Sequence, residues 1–303
     1  MNVLIAGGSG FIGRVLVDSL LREGHAVTLL TRRASGITGR GAGLHVEQWD
    51  AKSVGEWSRK LTEADAVINL TGELIGGKRW SLRQKEIILS SRLESTRALV
   101  EAMRRGAKKP ALLINASAVG YYGDVAAGDV PESFPGGTGF LADVCRRWEE
   151  AAFAATALGV RVVALRLGVV LAPDGGALGR MLPPFKFFIG GPIGSGRQWF
   201  PWIHRDDVVG GIMFLLRSPM ITGPVNLVGP EPVNMKTFCA TLGSVMGRPS
   251  WAPVPAPILR LLLGEMAGMI LSGQRVTPKK ITEAGFVFRH PTLAAALGDI
   301  LHS

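Results

Sequence analysis

Residues 3–24 read VLIAGGSGFIGRVLVDSLLREG, and this stretch decides how the rest of the chain is read. An apolar run stops at a glycine-rich turn. Apolar positions then recur at helical spacing, Val15, Leu16, Leu20 and Leu21, until Gly24 ends the pattern. The order is strand, glycine turn, helix. Gly7, Gly10 and Gly13 stand in the spacing G-x-x-G-x-x-G. Glycine lets the backbone bend sharply and approach a pyrophosphate, whose charge then rests on the free N–H groups of the helix start. A strand before and a helix after are the context such a turn requires. Gly7, Gly10, Phe11, Ile12 and Gly13 are therefore expected at the phosphates of a dinucleotide.

The rhythm continues outward. A strand over 26–30, AVTLL, ends in Thr31, Arg32 and Arg33, where an NAD-preferring protein usually carries a carboxylate for the ribose 2′-hydroxyl. Guanidinium groups at this place suit a 2′-phosphate through bidentate, charge-assisted bonds, so NADP(H) is expected over NAD(H). Two solvated arginines at a strand end are the plainer alternative. Residues 45–50, HVEQWD, read as a third strand that brings Asp50 toward the adenine, and 66–70, AVINL, as a fourth. A long helix is expected over 83–103 and a fifth strand over 111–117. Alternating strands and helices of this length argue for a parallel, doubly wound sheet that binds ligands outside its carboxyl ends. Leu70, Thr71 and Gly72 fall at such an end.

The 303 residues, 47% hydrophobic and 19% charged, suffice for one large domain or two closely packed ones. The opening residues have no basic n-region and read as a strand, not a signal peptide. The stretch 257–271, PILRLLLGEMAGMIL, carries Arg260 and Glu265 and falls short of the ~20 apolar residues of a membrane span. It reads as a buried or partner-facing helix, and no membrane contact is expected. The two cysteines, Cys145 and Cys239, lie far apart without a His/Cys cluster, so no disulfide and no metal are expected and a reducing cytoplasm fits. The net charge of +10 is scattered instead of gathered into an aromatic-interleaved block. That pattern suits a solvated basic face or an anionic cofactor better than nucleic acid. The expected partner is a small molecule, and monomer or homodimer both stay open.

GGSGFIG, NLTG, NASAVGYYG, RLGVVL, WIHRDDVV and GPVNLVGPEPVN together resemble the extended short-chain dehydrogenase/reductase superfamily. FIGGPIGSGRQWFPWIH, GEMAGMIL and GQRVTPKK are similar to its NAD-dependent epimerase/dehydratase branch with a C-terminal DUF1731 domain. The resemblance implies an α/β fold, a Rossmann-type doubly wound parallel sheet with a smaller C-terminal α+β substrate domain. It implies an NADP-binding domain over 1–166, to which 200–227 return. Residues 167–303 are then mainly the substrate domain, with a DUF1731-like region at about 250–298. It also implies that Glu86, Arg92 and Leu171 lie near the cofactor.

In the wider superfamily the resemblance further implies a serine after the fifth strand, here Ser117, and a Tyr-x-x-x-Lys on the next helix. The tyrosine exchanges a proton. The lysine lowers its pKa, because a free phenol titrates near ~10. Matching residues 132–135, ESFP, to the usual E-x-x-P puts Phe140 at the tyrosine position and Val144 at the lysine position. Neither side chain can do that chemistry. The chain holds two tyrosines, Tyr121 and Tyr122, with Val125 and Ala126 four residues on, so it contains no Tyr-x-x-x-Lys. The GFLADVCRRWEE stretch at 139–150 is thus the catalytic helix without its pair.

Ser117, Tyr121 and Tyr122 remain as catalytic candidates; each tyrosine is a proton donor, a substrate contact or a packing group. Asp124 and Glu132 are acid/base groups or turn formers. Cys145 reads as a small packing residue. His204 can titrate near neutrality, but it leads into a helix expected to be capped by Asp206 or Asp207. Residues 171–202 are rich in glycine, proline and aromatics and lack the strand-helix rhythm. There Lys186, Arg197, Gln198, Trp199 and Trp202 suit a pocket wall for an anionic or partly aromatic molecule, or a structured loop. The expected function is an atypical NADP(H)-dependent oxidoreductase. The alternatives are a non-catalytic NADPH sensor and, third, a nucleotide-sugar epimerase or dehydratase, which needs the missing base.

Overall fold

The computed structural model describes residues 1–33 and 43–302. Its first strand, β1 (Asn2–Ala6), shows why the chain forms layers. Val3 and Ile5 pack into one apolar cluster and Leu4 and Ala6 into another, all almost fully buried. Side chains alternate along a strand, so a strand apolar on both faces demands cover on both. The cover follows in α1 (Gly13–Arg22), between β1 and β2 (Ala26–Thr31). Next come β3 (Leu44–Gln48), α2 (Ser58–Leu61), β4 (Ala66–Asn69), α3 (Leu82–Arg105) and β5 (Leu112–Ala118). Leu16 and Leu20 of α1 join the first cluster, Leu99 and Met103 of α3 the second. Ser81 caps α3, its hydroxyl accepting the Gln84 N–H at 3.1 Å.

After the short β6 (Asp129–Val130), α4 (Phe140–Phe153) leads into β7 (Arg161–Leu167). The segment 171–202, expected as irregular, instead contains β8 (Val169–Ala172), β9 (Gly175–Gly176) and α5 (Leu178–Lys186) before β10 (Trp202–His204). Pro183 and Pro184 lie inside α5. They masked the helix in the sequence because proline breaks the usual helical reading. Strands β8, β9 and β10 form a small sheet of order β10-β8-β9. Then α6 (Arg205–Arg217) and β11 (Gly223–Leu227) return to the large sheet, and Val208, Ile212 and Leu215 enter the cluster of Val3 and Ile5.

The large sheet has seven parallel strands in the order β11-β7-β5-β4-β1-β2-β3. Strand order turns around between β1 and β4, which places a crevice outside their carboxyl ends. The rest of the chain forms α7 (Met235–Met246), α8 (Ala256–Leu263), α9 (Gly268–Leu271), β12 (Arg275–Val276), α10 (Lys279–Glu283) and α11 (Leu293–His302). A third apolar cluster joins Leu171, Phe185, Trp202, Phe238, Leu242 and Leu297. Ile281 and Phe288 pack back on the first cluster, so the C-terminal region shares both cores. None of the residues of α8 is buried. No described helix is long and apolar enough to cross a membrane.

Candidate cofactor and substrate site

The glycine turn is built by close contacts that side chains would destroy. Gly7 has φ +83°, and a Cβ there would lie 2.8 Å from the carbonyl carbon of Leu70, at the end of β4. A Cβ on Gly13 would stand 2.4 Å from the Gly7 carbonyl oxygen, which also accepts the Gly10 N–H at 3.0 Å. Ile12 gives α1 no side-chain cap, and its first turn holds no acid. A helix start with no side-chain cap and no acid in its first turn is what a pyrophosphate fits.

Phe11 is half-buried, its ring 3.3 Å from where Cβ atoms on Gly175 and Gly176 would stand. Asp174, in the β8–β9 turn, pairs with both Arg14 of α1 and Arg205 of α6, fastening that hairpin beside the phosphate turn. Thr31 is buried and its hydroxyl oxygen accepts the Arg33 N–H at 3.3 Å, while Arg32 and Arg33 are exposed at the end of β2. Asp50 does not stay in β3: its carboxylate accepts the N–H groups of Lys52 and Ser53 and the Ser53 hydroxyl. The Ser53 hydroxyl and these N–H groups hold its pKa at about 2.

At the end of β4, Leu70 is half-buried, and the Thr71 hydroxyl donates to Asn69 Oδ1. Asn69 Nδ2 in turn donates to Asn115 Oδ1 of β5 at 2.7 Å. Gly72 lies directly against Arg92: a Cβ there would be 3.0 Å from the guanidinium carbon. Arg92 is buried, donates to the Glu73 and Ile88 carbonyls at 3.1 and 2.9 Å, and lies 5.0 Å from the Trp148 ring centre. It braces the loop after β4. Glu86 is exposed on α3. Leu171 is fully buried among Leu178, Phe185 and Trp202.

At the start of α4, Phe140 meets Trp80 edge-on with ring centres 5.1 Å apart, and Val144 is buried. The three catalytic candidates meet a buried polar network instead of open solvent. Ser117 donates to Glu149 Oε1 at 2.6 Å. Arg166, on β7, grips both oxygens of Glu149, Nε to Oε1 at 2.9 Å and Nη2 to Oε2 at 2.8 Å. Arg166 Nη1 also donates to the Tyr122 oxygen at 2.9 Å, and Tyr122 donates to Asn226 Oδ1 at 2.6 Å. Burial, opposed by Arg166, pushes the Tyr122 phenol up to about 12. Tyr121 is half-buried with the Arg166 guanidinium 3.5 Å from its ring centre.

Glu132 is buried and accepts the backbone N–H groups of Asn226 and Lys280, each at 3.1 Å, which ties β11 to α10. Glu149, Arg166 and Asn226 escaped the sequence reading as a network. One signal was present: Glu149 is a charge on the helical stripe of Ala142, Cys145, Trp148 and Ala152.

His204 itself caps α6, with Nδ1 accepting the Asp206 N–H at 3.0 Å. Of the two expected caps, Asp207 instead accepts from the N–H groups of Arg289 and His290, and Asp206 pairs with the Arg289 side chain. His204, His290 and Asp299 bring ligand-type atoms within 4.8 Å of one another. Because Nδ1 is the acceptor, neutral His204 carries its proton on Nε2 and offers a metal no lone pair there. Cys145 and Cys239 are buried thiols whose pKa values burial pushes up to about 11 and about 12, which makes them poor nucleophiles.

A seven-stranded parallel sheet, covered on both faces and carrying a glycine turn at its switch point, defines a Rossmann-type α/β protein. The chain belongs to the NAD dependent epimerase/dehydratase family, whose model matches residues 3–228, and residues 254–300 match the domain of unknown function DUF1731. It is 42% identical over 303 residues to the epimerase family protein SDR39U1 homolog, chloroplastic, of Arabidopsis thaliana, covering 99% of this chain and 87% of that protein. It is 39% identical to the epimerase family protein YfhF of Bacillus subtilis, covering 99% and 98%. A crystal structure of human epimerase family protein SDR39U1 (isoform 2) with NADPH superposes with a TM-score of 0.89, at 35% identity and full coverage of both chains. UDP-glucuronic acid 4-epimerase of Bacillus cereus shares the fold at a TM-score of 0.78 and 20% identity.

Proposed function

We propose that this chain binds NADP(H) across the crevice between β1 and β4 and moves hydride to or from a small anionic molecule, as an oxidoreductase without the tyrosine–lysine pair. The uncapped, acid-free N-terminus of α1 behind Gly7, Gly10 and Gly13 carries the reading. The NADPH in the human relative supports the choice of cofactor. Nicotinamide, when bound, supplies or accepts the hydride. Arg32 and Arg33 hold the 2′-phosphate, and Leu70, Thr71 and Gly72 border the cofactor. Ser117 and Tyr122 hold the loop after β5, since their hydroxyls are already committed to Glu149 and Asn226. Tyr121 is then the remaining loop phenol, with water as the other proton source. We read 1–166 with 200–227 as the nucleotide domain and 167–303 as mainly the substrate domain, because a separate apolar cluster gathers in the latter.

A second reading, an NADPH sensor without turnover, is favoured by Phe140 and Val144, which put neither a phenol nor an ammonium group at the two positions of the catalytic pair. NADPH deuterated at its transferable nicotinamide hydrogen separates the two. Incubation with a metabolite extract and mass spectrometry will show protein-dependent deuterium in a small molecule if the oxidoreductase reading is right. Bound NADPH with no transferred label would reject it in favour of the sensor. Turnover unchanged in Tyr121→Phe would remove that phenol from the mechanism.

A further inference from the structure

Beside Phe140 stands a pair of charges drawn from two distant parts of the chain. Lys85 of α3 holds Nζ 5.3 Å from the Phe140 ring centre and is paired with the carboxylate of Glu265. Glu265 lies on the 3-10 turn Gly264–Ala267, between α8 and α9. The lysine side chain is 24% exposed and the glutamate 66%. The cation is therefore half-shielded against an aromatic ring, while its counter-ion is largely in water. Trp80 adds a second ring at the same place. Where the resemblance implied a tyrosine hydroxyl for the substrate, this chain offers an ammonium group beside the Phe140 ring, against which Trp80 packs edge-on.

We propose that Lys85 anchors the carboxylate of a small, flat substrate, and that Glu265 is the resident counter-ion which that carboxylate displaces. The proposal rests on the crevice being the substrate site. An exposed ion pair stabilises weakly and is screened by solvent, so Glu265 is a competitor that a ligand can overcome. A ligand carboxylate brings the same charge to Lys85, and a flat body adds contact with the rings of Phe140 and Trp80. Glu265 thus keeps the half-shielded ammonium paired in the free protein and favours ligands that carry both an anion and an apolar face.

Benzoate is the probe, titrated calorimetrically into the NADPH-loaded protein and into Lys85→Met, Lys85→Arg and Glu265→Gln, with NADPH affinity measured on the same samples. Removing the competitor should tighten benzoate about two- to fivefold in Glu265→Gln. Removing the anchor should weaken it about tenfold or more in Lys85→Met, with most binding kept in Lys85→Arg. NADPH affinity should be unchanged in all three. Equal losses in Glu265→Gln and Lys85→Met would make the pair merely structural and overturn the proposal. Benzoate binding that is absent throughout, or identical in all four proteins, would overturn it as well. Failure of NADPH to bind the unaltered protein would instead sink the cofactor reading, and benzoate titrated into that protein would still decide the role of Lys85.

Discussion

Arg166→Met tests whether the buried network is the scaffold of the site. Arg166 is 3% exposed and its partner Glu149 4%. The substitution removes both guanidinium bonds to the carboxylate, at 2.9 and 2.8 Å, and leaves Glu149 with the Ser117 hydroxyl. It also takes away the donor to Tyr122 and the cation on which Tyr121 stacks. Breaking one side of a buried pair strands a charge, at a cost of about 3–5 kcal/mol. For a chain of this length that lowers Tm by roughly 5–8 °C. The double variant Arg166→Met/Glu149→Leu removes both charges and should recover most of the loss, because what destabilises is the unpaired carboxylate. Thermal and urea unfolding followed by circular dichroism provide the assay. A single variant within about 1 kcal/mol of the starting protein, or a double variant no better than the single, would refute the reasoning.

Gly13→Ala forces a Cβ to 2.4 Å from a backbone oxygen; the turn must open, and NADPH affinity should fall at least tenfold by fluorescence titration, with stability down by about 1–3 kcal/mol. Arg32→Ala should weaken NADPH far more than NADH, and equal losses would remove Arg32 from the 2′-phosphate site. Tyr122→Phe should cost about 1–3 kcal/mol, because Asn226 Oδ1 and Arg166 Nη1 each lose a buried partner, while NADPH affinity is retained; lost affinity would contradict a purely scaffolding role. His204 has its pKa lowered by burial and then by His290, against the opposing pull of Asp206, Asp299 and Asp207. A folded-state pKa below the unfolded one means that its stability contribution is present above pH ~6.5 and is lost as pH falls from there through the folded value. His204→Asn keeps a capping oxygen and should flatten that part of the stability curve; an unchanged slope from pH 7 to 5 would show that His204 is not its source.

The nucleotide half was legible because its signals are local. The glycine spacing, the apolar run before it and the helical period after it all lie within the first two dozen residues, and the packing only made their geometry visible. The missing tyrosine and lysine were equally plain, since an absence of residue types needs no coordinates. The helix Leu178–Lys186 was not legible, because two prolines inside it erase the usual pattern. The third strand ends at Gln48, short of Asp50, because Asp50 turns to accept three hydrogen bonds from Lys52 and Ser53.

By itself, then, the sequence determined the sheet, the phosphate turn, the arginines that follow β2 and the emptied catalytic helix, each written in neighbours a few residues apart. Only the tertiary structure brought Ser117, Tyr122 and Lys85 against the groups they touch. Their partners lie far along the chain, Glu149 at 32 residues from Ser117 and Asn226 at 104 from Tyr122. A side chain's freedom to act depends on which donors and acceptors folding brings against it, and spacing along a sequence carries no record of contacts made across the sheet.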